Sequence, residues 1–241
     1  MLIYGRAFSF FLSLLIPFFL TRILVKEDYG SYQQLIMIYT IVQAILIFGM
    51  PQSLLYYFPR KETHEHPLLI KQTWTILLFS SLMVMAIFWL SSQIIGTHHL
   101  KEYLVLLGIY TSLMIFVMPI QNLLTLEGKI STAMWLMVFF TIIDLAVLPS
   151  AAWLNPTTLG IVHGIIVAAL LKAIMVLFHV YTTYFTKEIS GNSYIKEQLA
   201  YGIPVGLTAM VYVINVNVDK YLVGLFFSSS VFAVYYLGSL W

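Results

Sequence analysis

Apolar runs long enough to cross a bilayer follow one another through almost the whole chain. They constrain its fold more than any other feature. No charged residue lies between Arg6 and Arg22, between Lys129 and Asp144, or between Asp144 and Lys172. A helix needs about 20 mostly apolar residues to cross the hydrocarbon core. Of the 241 residues, 61% are hydrophobic and 9% are charged, against about 25% charged in a soluble domain. That shortfall selects an all-α polytopic membrane protein. There are no cysteines, so disulfides, thiolate metal sites and cysteine nucleophiles are ruled out. A net charge of +2, with no basic run, argues against nucleic acid as a partner. Arg6 followed by an apolar run begins as a signal peptide would, but no small-x-small cleavage site follows. It reads as a retained first helix.

Cutting the chain at its charged and turn-forming clusters places spans at about 3–24, 32–58, 70–95, 103–126, 131–154, 158–185 and 198–227. An eighth segment runs up to Trp241. The first connection is expected to turn at Lys26-Glu27-Asp28. Lysine and arginine in short loops set orientation. With a cytoplasmic N-terminus the inside receives Arg6, Arg60, Lys61, Lys71, Lys129, Lys187 and Lys196. The outside then receives only Lys26 and Lys101, with Arg22 close by. The expected topology is therefore N-terminus in, with the loop at Lys26-Glu27-Asp28 external. Pro17, Pro51, Pro119, Pro149 and Pro204 lie within or near the ends of spans. Each removes a backbone donor and tends to kink its helix. Two readings fit: that proline is simply commoner in membrane helices, or that the helices curve around a cavity or hinge between states.

Charges within the spans are costly and so informative. Asp144 lies near the middle of the fifth span and Lys172 near the middle of the sixth. Counting about 1.5 Å per residue puts the two within about one and a half turns of the same depth. A charge at the bilayer centre costs about 2.5–3.5 kcal/mol even on insertion scales, and opposite charges on adjacent spans offset much of that. Two readings stay open: a structural ion pair, or a cation-coupling or substrate-facing site. Arg22 and the Asp219-Lys220 pair each come about 20 residues into their spans, toward the outer face. Snorkelling to the interface and a place on a pathway both fit them. Asn215 and Asn217 add amides to the same end of the seventh span. Gln43, Gln52, Gln121 and Asn122 supply further polar contacts, of a kind that more often joins helices than binds solute.

The six histidines, among them His98-His99 and His64-x-His66, do not form a metal set by spacing. No H-E-x-x-H, G-x-S-x-G, P-loop or Gly-rich dinucleotide turn occurs. With loops this short, the chain is not expected to be an enzyme or to need a cofactor. Aromatics at span ends, such as Tyr56, Trp89 and Trp153, read as belt residues at headgroup level.

The two ends of the chain share a faint pattern of cation, turn and small-x-Tyr: Arg22 before Gly30-Ser31-Tyr32, and Lys220 before Ala233-Val234-Tyr235. Transporters are often built from repeated halves. Residues 1–185 would then form a six-helix lobe, 186–197 a cytoplasmic inter-lobe loop, and 198–241 the start of a second lobe. The segments TRILVKEDYGSY (21–32), FGMPQSLLYYFPRKE (48–62), LEGK (126–129) and YGIPVGLTAMVYVINVNVDKYLVG (201–224) resemble the bacterial polysaccharide and lipid-linked oligosaccharide flippases of the multidrug/oligosaccharidyl-lipid/polysaccharide exporter superfamily. The resemblance covers the whole chain but about half of a transporter of twelve or fourteen spans.

The resemblance implies a two-lobed bundle of MATE-like topology in the bacterial cytoplasmic (inner) membrane, working by alternating access with the first and seventh spans lining a central cleft. It implies an isoprenoid-diphosphate-linked oligosaccharide as substrate, with Arg22 meeting the diphosphate and Asp219 and Lys220 matching an acidic-basic pair. The substrate-binding candidates are Arg22, Lys220, Asn215 and Gln52. The coupling or ion-pair candidates are Asp144, Lys172 and Asp219. The alternatives are a cation-coupled multidrug exporter of the same fold, using a monovalent cation and Asp144, and a non-transporting half-transporter.

Overall fold

A computed structural model of the chain describes residues 2–94, 101–186 and 193–239. His98-His99, Lys187, the Ser190-Gly191-Asn192 tip and Trp241 lie outside the described residues. The helices are α1 (Leu2–Ile23), α2 (Lys26–Leu46), α3 (Met50–Tyr57), α4 (His66–Ile94), α5 (Lys101–Val117) and α6 (Ile120–Leu126). They continue with α7 (Ile130–Leu154), α8 (Thr158–Val180), α9 (Ile195–Val216), α10 (Val218–Phe226) and α11 (Ser229–Gly238). A 3-10 turn at Phe58–Arg60 extends α3, and a wider π-type turn at Tyr181–Phe185 extends α8. No strand occurs among the described residues. Six helical segments are long and apolar enough to cross a membrane, and α2 with α3 makes a seventh if the bent pair is one span. The protein is an all-α polytopic membrane protein.

The first connection differs from the sequence expectation. Lys26-Glu27-Asp28 is not a loop but the first turn of α2, after an extended Val25 (φ −69°, ψ 154°). Acidic residues are favoured there because they meet the exposed N–H groups of a helix start. Asp28 also serves a second helix: its Oδ1 accepts from the Thr158 backbone N–H at 2.9 Å and from Thr158 Oγ1 at 2.6 Å. It thus satisfies an orphan donor at the start of α8.

One span read as continuous is sharply bent, and two more are interrupted in their helical ladder, the fourth span without so sharp a bend. The second bends by 41° between α2 and α3, through Phe48 (φ 50°) and Gly49 (φ 62°), both left-handed. The fourth breaks between α5 and α6 at Met118-Pro119, and the seventh between α9 and α10 at Asn217. Pro51 and Pro119 stand at breaks, whereas Pro17, Pro149 and Pro204 are carried inside α1, α7 and α9.

Helices associate in lipid by close packing and hydrogen bonds, because lipid tails are as apolar as leucine. Here α1 lies on α7, α7 on α8, α8 on α5 and α5 on α4, while α2 runs through the middle and touches α4, α5, α8, α9 and α11. One apolar cluster joins α2 through α8, around Leu54, Leu77, Leu107 and Ile115. A second joins α1, α2, α7, α8 and α11 around Leu20, Tyr29 and Ile161. Large apolar side chains such as Phe11, Leu82, Trp135 and Phe178 point outward, as lipid requires.

Small residues bring α9 against the α2–α3 break. A Cβ on Gly202 would stand 2.5 Å from the Phe48 carbonyl oxygen, and one on Gly206 would stand 2.9 Å from the Gly49 nitrogen. The start of α9 is tied to α3 and α4 by polar contacts. The Tyr194 N–H donates to Gln72 Oε1 at 2.7 Å and Thr73 Oγ1 donates to Gln198 Oε1 at 2.9 Å. Lys61 Nζ lies 3.5 Å from Glu197 Oε2. The Tyr194 hydroxyl also donates to the Glu65 carboxylate. That bond holds Glu65 below the usual carboxylate range and pushes Tyr194 up to about 12.

Candidate functional site

The three breaks face one another. Between them lies a crevice of about 470 Å³, walled by α2, α3, the α5–α6 junction, α6 and α9. Its polar side chains are Thr40, Gln43, Gln52, Gln121, Asn122 and Asn217. Each lies on or beside a broken element, because a helix that stops within the bundle exposes the side chains of its last and first turns to the gap. Gln43 is buried. Gln52 Oε1 is buried with no hydrogen-bond partner among the described residues. Asn217 Nδ2 donates back to the Val213 carbonyl at 3.0 Å, and Thr40 Oγ1 to the Met37 carbonyl at 2.8 Å.

A smaller cavity of about 100 Å³ adjoins the crevice and shares Thr40 and Asn217 with it. Its walls include Gln33, Lys220 and Tyr236. The Lys220 ammonium is 3.4 Å from Asn217 Oδ1 and 5.6 Å from the centre of the Tyr236 ring. It is a cation held by an amide and an aromatic face, on the edge of an amide-lined space.

The candidate residues named from sequence fall in different places. Gln52 lines the crevice and Lys220 the adjoining cavity. Asn215 is exposed on α9 and is not among the residues lining either space. Asp219 is exposed and accepts from the Tyr235 hydroxyl at 2.6 Å. Asp144 and Lys172 meet across α7 and α8, with Lys172 Nζ 2.5 Å and 2.6 Å from the two carboxylate oxygens.

Arg22 is placed elsewhere than the family resemblance implies. It sits in the last turn of α1, exposed, with its guanidinium 4.0 Å above its own helix's Phe18 ring. The crevice lies between α2–α3, α6 and α9, while α1 borders a separate cavity of about 250 Å³ that shares Gln33, Ile36 and Tyr236 with the cavity at Lys220. The physical reason is that α1 packs on α7, whereas α9 is drawn to α2 and α3 by Gly49, Gly202 and Gly206.

Gln33 and Thr40 were not singled out from sequence. The signal that could have found Gln33 is the Gln33-Gln34 pair, two amides at the head of an apolar helix. No cluster of three or more histidine, aspartate or glutamate side chains that could hold a metal ion occurs among the described residues.

Together these features define a class: a polytopic helical membrane protein whose broken spans enclose a polar, uncharged crevice with a lysine at its edge. The chain belongs to the family described as polysaccharide biosynthesis protein, whose sequence profile matches residues 19–240. No curated protein and no solved structure matches the chain.

Proposed function

We propose that the protein is a flippase that moves a lipid-linked oligosaccharide or polysaccharide precursor across the bacterial cytoplasmic membrane by alternating access. The observation that carries this reading is the amide-lined crevice inside an otherwise lipid-facing bundle, in a chain of a polysaccharide biosynthesis family. A sugar-diphosphate head cannot cross hydrocarbon unaided, because unpaired polar groups are costly there. A polar crevice supplies hydrogen bonds in place of water, while an isoprenoid tail stays in the bilayer beside the bundle. Lys220 offers a charge-assisted bond to the diphosphate. The resemblance to the multidrug/oligosaccharidyl-lipid/polysaccharide exporter superfamily and a cytoplasmic N-terminus belong to the same proposal.

The cation-coupled drug exporter has less support. It needs a carboxylate facing a cavity, and both oxygens of Asp144 are engaged by Lys172. The test is reconstitution of the protein in liposomes with a fluorescent isoprenoid-diphosphate oligosaccharide in the inner leaflet. Transfer to the outer leaflet should outpace that of protein-free vesicles, and a monovalent-cation gradient would show any coupling ion. Equal rates with and without protein would refute the proposal.

A further inference from the structure

We infer that the crevice is a site for neutral sugar residues and discriminates against acidic ones. The inference rests on the flippase reading only for the presence of a glycan. The chemistry comes from the walls, where every polar side chain is a hydroxyl or a neutral amide and none is charged. A primary amide offers two donors and an acceptor, and a hydroxyl offers one donor and two acceptor lone pairs. Amides and sugar hydroxyls therefore satisfy each other in either direction.

An ionised carboxylate is acceptor-only. It can accept from Gln43 Nε2, a buried donor of the same wall with no partner among the described residues, but gives nothing to Gln52 Oε1, the buried acceptor equally without one, whereas a sugar hydroxyl serves both. A carboxylate in this space would also lose its hydration without gaining a counter-charge, and burying an unpaired charge is far costlier than burying a hydroxyl. The remaining wall is apolar, with Ile47, Pro51, Met118 and Val213, and suits the C–H face of a sugar ring. The volume falls within the range of about 300–1,000 Å³ usual for small-molecule sites, room for a short run of rings.

Negative charge has its own place. Lys220 lies in the adjoining cavity, across Thr40 and Asn217, which border both spaces. A ligand with a neutral glycan and an anionic linkage fits with its sugars in the crevice and its phosphates toward Lys220.

The experiment measures equilibrium binding to the detergent-solubilised full chain. The probes are two short isoprenyl-diphosphate lipids, one carrying a glucose disaccharide and one with glucuronic acid as the terminal sugar. The neutral probe should bind at least about a hundredfold more tightly, because a charge that loses its water without a partner costs far more than one tenfold step in affinity. Gln52→Leu should weaken the neutral probe several-fold. Gln121→Lys should reverse the preference, an outcome that misfolding cannot produce. Equal affinities for the two probes in the native protein, or an unchanged ratio in Gln121→Lys, would overturn the inference. Selective binding without transfer in liposomes would sink the flippase reading and leave this site standing. Transfer with no selectivity would do the opposite.

Discussion

Lys172 is buried and Asp144 half-buried, both within membrane spans. The Lys172 side chain is 7% exposed and that of Asp144 31%. Removing one member of a buried pair costs about 3–5 kcal/mol, because the other charge is left behind. Asp144 lies near the middle of a membrane span, where its exposed part meets hydrocarbon and not water, so Lys172→Met should cost about 3–5 kcal/mol. The double variant Asp144→Leu with Lys172→Met should recover most of the loss, since no unpaired charge remains. Thermal unfolding in detergent reads both. A double variant no better than the single would mean that the pair is not what holds α7 to α8. Reading the two charges at similar depth needed only the rise of a helix. Whether they touch depended on how α7 and α8 are rotated, which residue counting cannot supply. For Arg22 counting also gave a depth, but not the helix face or the Phe18 ring beneath the guanidinium.

At the level of elements, the breaks make the site. Gly49 has φ 62° and adjoins α9, so that a Cβ there would collide with the Gly202 carbonyl oxygen. Gly128 has φ 74° but has nothing within 4 Å of an added Cβ. The two glycines therefore separate backbone strain from helix contact. A left-handed L-residue costs about 1–2 kcal/mol. Gly128→Ala should lose about that much and no more. Gly49→Ala should lose clearly more and shift α9, measured as unfolding temperature and as loss of probe binding in the crevice. Equal losses would show that the Gly49 contact with α9 contributes little.

The prolines marked positions where helices can yield, yet two of the five sit at breaks. A proline in a helix interior can be accommodated when neighbours satisfy the freed carbonyl; Gly49 before Pro51 adds the turn that forces a break. The Gly202-x-x-x-Gly206 spacing is a helix-contact motif but names no partner. Its partner is a non-helical stretch of backbone, Phe48-Gly49.

For the whole molecule, the contact between α2 and α10–α11 decides how the last helices sit. Ser31 Oγ donates to Ser229 Oγ at 3.2 Å, Ser229 Oγ donates to Gln34 Oε1 at 3.1 Å, and Gln34 Nε2 donates to the Gly224 carbonyl at 2.8 Å. Gly30 makes room, since a Cβ there would strike the Ser229 carbonyl oxygen. The chain has no native cysteine, so a Ser31→Cys, Ser229→Cys pair would be its only thiols. They should oxidise to a disulfide, read as loss of both free thiols. If transport requires α2 and α11 to part, oxidation should stop transfer in liposomes while sparing probe binding, and reduction should restore it. Full transfer in the oxidised protein would mean that this contact does not open during the cycle.

The sequence alone determined the solvent and the class. Long uncharged runs admit few structures in lipid besides bundled helices, because backbone groups there must bond within their own segment. It also showed most of the site's amides, one span at a time. Only the tertiary structure decided which of them meet. Gln43, Gln52, Gln121, Asn122 and Asn217 share one crevice because three helices break at the same place and glycines let α9 close on the gap. Arg22, equally visible in the sequence, lies apart because the last turn of α1 turns its guanidinium outward over Phe18. Local pattern sets what a segment is, whereas convergence depends on contacts between residues more than a hundred positions apart, such as Gly49 and Gly206.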